Sequence, residues 1–444
     1  MIKTQLAKIK SSALARNAGW MFAGQGLSFV VQGLYFVILA RVLGSLQYGI
    51  LAGAAALVTV VSQYSTMGSG LLFLRYVSPD HEKFREYWGN ILLSTAVFGS
   101  ILVIGVRFAG TWMIGPASAS ILVLLAIGDC MCGQLTAAAG QVFQTFEKMR
   151  ITASLNLMTN LFRLILAAGM LIFLHHASAW QWAVASLTVS LLAVITAIVT
   201  VTVRFGWPIF RPVLMLKRLG EGSIFAVSGS TTSVYNDIDK VMLGHYGMTI
   251  ANGIYTMAYR VVNIAAMPIM SIQAAAFPRF FREGVNGVTA TEPFARKILK
   301  RTALIGALGA AGMFLFAPII PHLVGKGFSQ SVNALRWLCL IPLFRCMHVG
   351  AGDAMAGAGY QKYRLGAQAI AAGGNFLLNL YLIPRYSWFG AAVASLLTDG
   401  SLAIMSWSLL FWLKSREARK HDGKGEGDLL TRPVVEPESA ELLP

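Results

Sequence analysis

Apolar stretches of about 20 residues follow one another almost without pause. They constrain this chain more than any other feature, because a bilayer core of about 30 Å takes about 20 residues of helix to cross. Twelve can be read in the 444 residues: 17–40, 48–76, 88–110, 118–146, 153–174 and 180–203, then, after a break, 223–246, 250–277, 301–321, 332–358, 365–384 and 388–413. The runs are unbroken, whereas strands of a membrane barrel alternate apolar and polar residues over about 10 positions, so they predict helices. Composition agrees: 56% of residues are hydrophobic and 12% charged, against about 25% charged in soluble domains. A soluble enzyme and a disordered chain are excluded, and four cysteines are too few for a secreted disulfide scaffold. The expectation is an all-α polytopic membrane protein with about 12 transmembrane helices. The first stretch follows Lys3, Lys8, Lys10 and Arg16 but runs for 24 residues with no small-x-small cleavage site near its end, so it reads as an uncleaved anchor.

A net charge of +17 raises the question of nucleic acid, and the positions of the 36 Lys and Arg answer it. With the N-terminus placed in the cytoplasm, 27 fall on the cytoplasmic side, four (Arg41, Arg107, Lys326, Arg385) on the other side, and five (Arg163, Lys240, Arg260, Arg336, Arg345) within the stretches. This is the positive-inside bias of a multi-pass protein with both termini cytoplasmic, and no nucleic-acid partner is needed to explain it. Trp88, Trp112, Trp180, Trp182, Trp388 and Trp412 fall at span ends, where indoles are expected at headgroup level. The longest loop, 278–300, has 23 residues, too few for a catalytic or nucleotide-binding domain. The expected organisation is a cytoplasmic N-terminus (1–16), a six-helix lobe (17–203), a cytoplasmic inter-lobe linker (204–222), a second six-helix lobe (223–413) and a disordered cytoplasmic tail (414–444).

The two halves resemble each other. Arg41-Val-Leu-Gly44 followed by Tyr48-Gly49 loosely matches Lys240-Val-Met-Leu-Gly244 followed by Gly253-Ile-Tyr255. Phe146-Glu-Lys148-Met-Arg150 followed by Asn160 matches Tyr360-Gln-Lys362-Tyr-Arg364 followed by Asn375 better, at an offset of 214 or, after one gap, 215. Six is even, so both halves start on the same side and form parallel repeats, an arrangement that encloses a central cavity near mid-membrane. Taken together, the Leu-Gly then Tyr-Gly ending of span 1, Asp239-Lys-Val-Met-Leu-Gly244 with Gly253-Ile-Tyr-Thr-Met-Ala-Tyr-Arg260, Pro268 and Ala276-Phe-Pro278 resemble one family. It is the polysaccharide transporter branch, the Wzx-type flippases, of the multidrug/oligosaccharidyl-lipid/polysaccharide exporter superfamily. The resemblance covers about 1–413. It implies a bacterial inner-membrane secondary transporter, not an enzyme. Such a transporter moves undecaprenyl-diphosphate-linked oligosaccharide repeat units from the cytoplasmic to the outer leaflet by alternating access, for exopolysaccharide, capsule or O-antigen synthesis. A polysaccharide polymerase complex is a candidate partner.

Charge inside a span costs about 2.5–3.5 kcal/mol on insertion scales, so each charged residue there is a functional candidate. Arg163, Arg260 and Arg345 lie 10 to 13 residues into their spans, near the midplane, and are candidates to hold a diphosphate bidentately. Lys240 is a fourth candidate, although its place near a span end also allows it to snorkel to the interface. Asp129, Asp237, Asp239, Asp353 and Asp399 are candidates either for coupling transport to H⁺ or Na⁺ or for structural pairing with the arginines. Asp237 and Asp239 are two apart and do not share a helix face, whereas Asp237 and Lys240 do. No catalytic residue, metal site or cofactor is expected. Cys130, Cys132, Cys339 and Cys346 read as small core residues, and His175-His176 as loop. Gly325-Lys326 lacks the flanking residues of a phosphate loop. Glycines at 306, 309, 312, 350, 352, 357 and 359 suit close helix packing, and Pro268, Pro318 and Pro342 suit bends. The rival readings are a multidrug or organic-cation exporter of the same superfamily, a lipid II flippase, a membrane-embedded polysaccharide polymerase or acyltransferase, and a non-transporting scaffold.

Overall fold

The computed structural model describes residues 13–174 and 177–422, and within them the chain is all-helical. In chain order the helices are α1 (Ala13–Ser62), α2 (Ser69–Val77), α3 (Phe84–Ala126), α4 (Gln134–Thr145), α5 (Met149–Phe173), α6 (Ala179–Phe205) and α7 (Pro212–His245). They continue with α8 (Thr249–Gly284), α9 (Val288–Phe316), α10 (Ile319–Val324), α11 (Ser331–Leu338), α12 (Ile341–Gly357), α13 (Gln361–Tyr386) and α14 (Trp388–Asp422). Two of these are each two crossings joined at a glycine. α1 reverses at Gly44 (φ 66°) and α3 at Gly115 (φ 74°), left-handed conformations that a residue without Cβ adopts freely. A π-helical segment, Ile127–Gly133, joins α3 to α4.

Nine of the described helical segments are long and apolar enough to cross a membrane taken alone. One of them, Gly26–Ser62, contains the Gly44 reversal and so comprises two crossings. α7, with Asp237, Asp239 and Lys240, and α13, with Asn375 and Asn379, are too polar to qualify alone and complete the twelve. Crossing 2 is interrupted at Met67 and Gly68, both at positive φ, where the sequence predicts a continuous span.

Several helix ends differ from expectation. α8 and α9 are separated only at 285–287, not by a 23-residue loop, and α7 starts at Pro212 inside the expected linker. Hydrophobicity does not mark these ends because the terminal turns are polar and lie beyond the apolar core. The linker that remains is docked on the start of α3: Ile209 N–H donates to Arg85 O at 2.8 Å and Arg85 Nε to Trp207 O at 2.9 Å. α14 runs to Asp422, so 414–422 is helix and not disordered tail. The Glu417 carboxylate accepts from Val288 N–H at 2.7 Å, satisfying a free donor at the start of α9, and Lys414 pairs with Glu292 at 2.8 Å. Residues 423–444, the N-terminal lysines and His175-His176 lie outside the described residues.

The repeat is visible in backbone geometry. After α4 the Lys148 N–H donates to Phe143 O at 2.7 Å with Glu147 at φ 56°, and after α12 the Tyr360 N–H donates to Met355 O at 2.8 Å with Gly359 at φ 84°. Both are Schellman closures. They lie 212 positions apart, so the turns correspond two residues out of register with the sequence match. In the looser match, Gly44 is a turn residue but Gly244 is helical, and the turn after α7 falls at Gly247 (φ 69°).

Cores differ between the two ends of the bundle. At the end holding the Gly44, Gly115 and Gly247 turns, one buried cluster draws on both halves, from Tyr35, Leu39, Leu57 and Trp182 to Leu243, Tyr255, Phe328 and Leu338. Towards the opposite, Lys- and Arg-rich end the larger clusters are separate, one around Phe73, Trp88 and Phe143 and one around Phe280, Phe294 and Leu410, with a small third one of Ala367, Ala371 and Leu402 in the second half. Trp88 and Trp182, expected at the headgroups, are fully buried in these cores, and Trp182 stacks on Tyr35 with centroids 5.5 Å apart. The shared core depends on a close crossing of α1 and α8. A Cβ on Gly49 would sit 1.7 Å from Thr249 O, and one on Gly253 2.1 Å from Ser45 O. Gly49→Val is therefore expected to destabilise the fold by about 1–3 kcal/mol, measured as a lower Tm in detergent. Gly366→Ala, whose Cβ meets nothing within 4 Å, is the comparison and should leave Tm unchanged or slightly raised.

Candidate functional site

The bundle holds three adjoining cavities of about 480, 240 and 380 Å³. The first lies within the first half, between α1, the π segment, α4, α5 and α6. The last lies between crossing 2 and α7, α8 and α12. The middle one joins them, sharing Gln32, Asp129 and Arg163 with the first and Ala52, Thr59, Thr256 and Arg260 with the last. All four cation candidates line this tract: Arg163 the first two cavities, Arg260 the last two, Lys240 and Arg345 the last. Asp129 and Asp237 are the carboxylates on its wall.

Each cation is held differently. Arg345 on α12 donates from Nη1 to Asn263 Oδ1 at 3.0 Å and from Nη2 to Tyr259 Oη at 2.9 Å, so two neutral α8 side chains orient it without cancelling its charge. Arg260 stacks its guanidinium on the Phe36 ring, 3.9 Å from the centroid, bridging the halves by a cation–π contact. The Nε atoms of Arg163 and Arg260 are buried without a hydrogen-bond partner. None of the three arginines forms an ion pair with a carboxylate among the described residues, so the expected pairing with Asp129, Asp353 or Asp399 does not occur as a direct contact.

Lys240 does not snorkel. It is 7% exposed, and its Nζ turns back along α7 to donate to Asn236 O at 2.6 Å and Asp237 Oδ1 at 2.9 Å, deeper into the bundle than its own Cα. Asp239 also reaches the ammonium, at 3.4 Å. The two carboxylates thus converge on one cation although they lie on different helix faces, because the long lysine stem folds back between them. The Lys240 ammonium also sits 4.5 Å from the Tyr259 centroid.

The remaining carboxylates are structural neighbours of the tract rather than its lining. Asp239 accepts from Tyr255 and from Ser395. Asp399 accepts from Tyr235 and lies 3.4 Å from His348 Nε2. Asp353 pairs with Arg364 at 2.9 Å, close to the basic end. Asp129 is set differently, since it falls in the π segment. That one-residue surplus in a helix re-aims side chains and recurs at functional sites, and here it points Asp129 into the cavity that Arg163 also lines. The cysteines are buried and free, as expected of small core residues.

The sequence reading missed Tyr259, Asn263, Asn236 and Thr256, which complete the last cavity, and Gln32, Asn156 and Thr159, which line the first. A polar stripe at helical spacing within an apolar span was the available signal. Replacing Lys240 by Met leaves Asp237 and Asp239 facing each other uncompensated. Lys240→Met is expected to cost about 3 kcal/mol or more, of which Asp237→Asn in the same chain restores part. A thermal-unfolding double-mutant cycle measures the coupling.

Comparisons with known proteins agree with this fold. The chain superposes on an inward-facing multidrug resistance MATE family transporter of the MOP superfamily with TM-score 0.72 at 14% identity, covering 89% of this chain and 96% of that one. It superposes on the lipid II flippase MurJ in an inward closed conformation with TM-score 0.69 at 13% identity, covering 92% and 93%. An outward-facing MATE transporter superposes at 0.58, with 14% identity and 92% and 98% coverage. In sequence, the chain is 27% identical over 175 residues to the probable flippase AglR of Haloferax volcanii, 37% of this chain and about a third (35%) of that protein's length. These structural likenesses show that the chain has the fold of those multi-pass proteins. The model of the polysaccharide biosynthesis protein family matches residues 14–283, more than half of the sequence, and the chain belongs to that family.

Proposed function

We propose that the protein is a secondary transporter that flips undecaprenyl-diphosphate-linked oligosaccharide across a bacterial inner membrane. The direction is from the cytoplasmic to the outer leaflet, with both termini cytoplasmic. One observation carries the reading: a tract running from the first half into the second, lined by four cations and two carboxylates, with its three arginines free of ion pairs among the described residues. Lys240 is already held by Asp237 and Asp239, so the three arginines supply the positive charge that a diphosphate diester would meet. Neutral partners hold Arg345 ready for bidentate contact with phosphate oxygens. The separate cores at the basic end and the shared core at the other let the tract open towards the basic end, the cytoplasmic side by its Lys and Arg content. Headgroup and sugars would occupy the tract while the polyprenyl tail stays in lipid.

Moving a diphosphate outward down an inside-negative potential is favourable by about 2.3 kcal/mol per charge per 100 mV. The potential can therefore drive the step, with Asp129 and Asp237 the carboxylates placed to add H⁺ or Na⁺ coupling. An organic-cation exporter would need carboxylates to dominate the cavity, and here cations outnumber them two to one. Deleting the gene in its host should abolish polymer and leave lipid-linked repeat units on the cytoplasmic leaflet, read by impermeant labelling. Arg345→Ala should restore less than about a tenth of wild-type flipping, the cost of about 1.4 kcal/mol or more from a lost charged hydrogen bond. Arg345→Lys should restore an intermediate level. Normal polymer without a trapped intermediate, in a strain with no second flippase, rejects the assignment.

A further inference from the structure

The largest cavity of the tract does not have the chemistry of a diphosphate site. Asn156, Thr159, Asn160 and Arg163 succeed one another on α5 at i, i+3, i+4 and i+7, a single face of the helix, and that face lines the cavity of about 480 Å³. Gln32 faces them from α1 and Thr136 from α4. Asn160 donates to Ser28 Oγ at 2.6 Å, which fixes its amide. The charged lining residues are Asp129 and Arg163, and both also border the middle cavity, so charge is confined to the border between the two. Amides in a membrane span are costly unless they meet water or a polar ligand. Each offers two donors and an acceptor, the complement of a hydroxyl that both gives and takes a hydrogen bond. An apolar drug would leave them unsatisfied, and a diphosphate would find no second cation at their depth. The volume lies in the range of about 300–1,000 Å³ usual for small-ligand pockets.

We propose that this cavity is a saccharide chamber. Neutral sugar residues are bound by the amide and hydroxyl stripe of the first half while the diphosphate sits against Lys240, Arg260 and Arg345 of the second. The inference rests on the proposed transport of a lipid-linked oligosaccharide and adds to it a division of labour. Charge recognition lies in the second half and sugar selectivity in the first, with Arg163 at the junction. A site built to hydrogen-bond hydroxyls rejects ligands lacking them strongly, because its own polar groups are then left bare.

The test uses the full chain in nanodiscs and two probes: lipid-linked oligosaccharide extracted from the host membrane, and polyprenyl diphosphate bearing no sugar. Wild type should bind the sugar-bearing probe at least about tenfold more tightly. The pair Asn156→Ala with Asn160→Ala should lose that preference about tenfold while binding bare polyprenyl diphosphate like wild type, which also shows that the variant is folded. Arg345→Ala should weaken both probes by the same factor. The milder pair Asn156→Ser with Asn160→Ser should show the same selective loss in part. Equal weakening of both probes by the Asn pairs, or no change in either, overturns the saccharide chamber and leaves the transport reading standing. Failure of wild type to bind either probe overturns the transport reading and the chamber with it.

Discussion

Everything in the tract depends on the place where crossing 2 and α8 meet backbone to backbone. Gly49 and Gly253 let Thr249 O and Ser45 O approach to distances that no Cβ would permit. That contact joins the two halves at one end of the bundle. There, side chains from both pack into one core, and Ser331 Oγ and the Asn252 amide add hydrogen bonds across crossings. In lipid there is little hydrophobic drive for helices to associate, so close packing of small residues and interhelical hydrogen bonds must supply it. Where that contact ends, the halves diverge around separate cores, and the space between them opens into the tract, which extends into the first half.

A charged tract in a membrane protein has to be supported from behind. The second half does this with hydroxyls and amides: Tyr255 and Ser395 behind Asp239, Tyr235 behind Asp399, Asn263 and Tyr259 around Arg345. The first half uses a change of helix type, the π segment that aims Asp129 inwards. These devices differ, although the turns Glu147–Lys148 and Gly359–Tyr360 close in the same way in both halves. The repeat has kept its scaffold and diverged in its lining, as two subsites of different chemistry would require.

Much of this was legible in the sequence. Ten of the twelve crossings are long apolar runs, α7 and α13 being the more polar two, and the positions of Arg163, Arg260 and Arg345 in the tract follow from the cost of a charge at mid-span. Partners were not legible. Lys240 folds back to Asn236 and Asp237 because its stem is flexible, and no spacing rule predicts a rotamer. Trp88 and Trp182 sit at span ends in sequence yet inside cores in space, since position along a helix fixes depth in the membrane but not which face is buried. The π segment changes a hydrogen-bonding pattern by one residue and leaves hydropathy untouched. The extension of α14 past Lys414 is set by Glu417 meeting an N-terminus 129 positions earlier, a long-range contact invisible to local composition.

The docked linker has a mechanical consequence. Only residues 206–211 join the halves covalently, a leash of about 20–25 Å at full extension. Ile209 and Trp207 are moored to Arg85, and Arg211 to Glu86, so almost none of that length is free to pay out. The first turns of α7 are therefore towed with the first half. Arg75 and Tyr76 reinforce the mooring by gripping Glu221. Any rocking of the halves is therefore restrained at this corner, and the freedom to separate is greatest away from it.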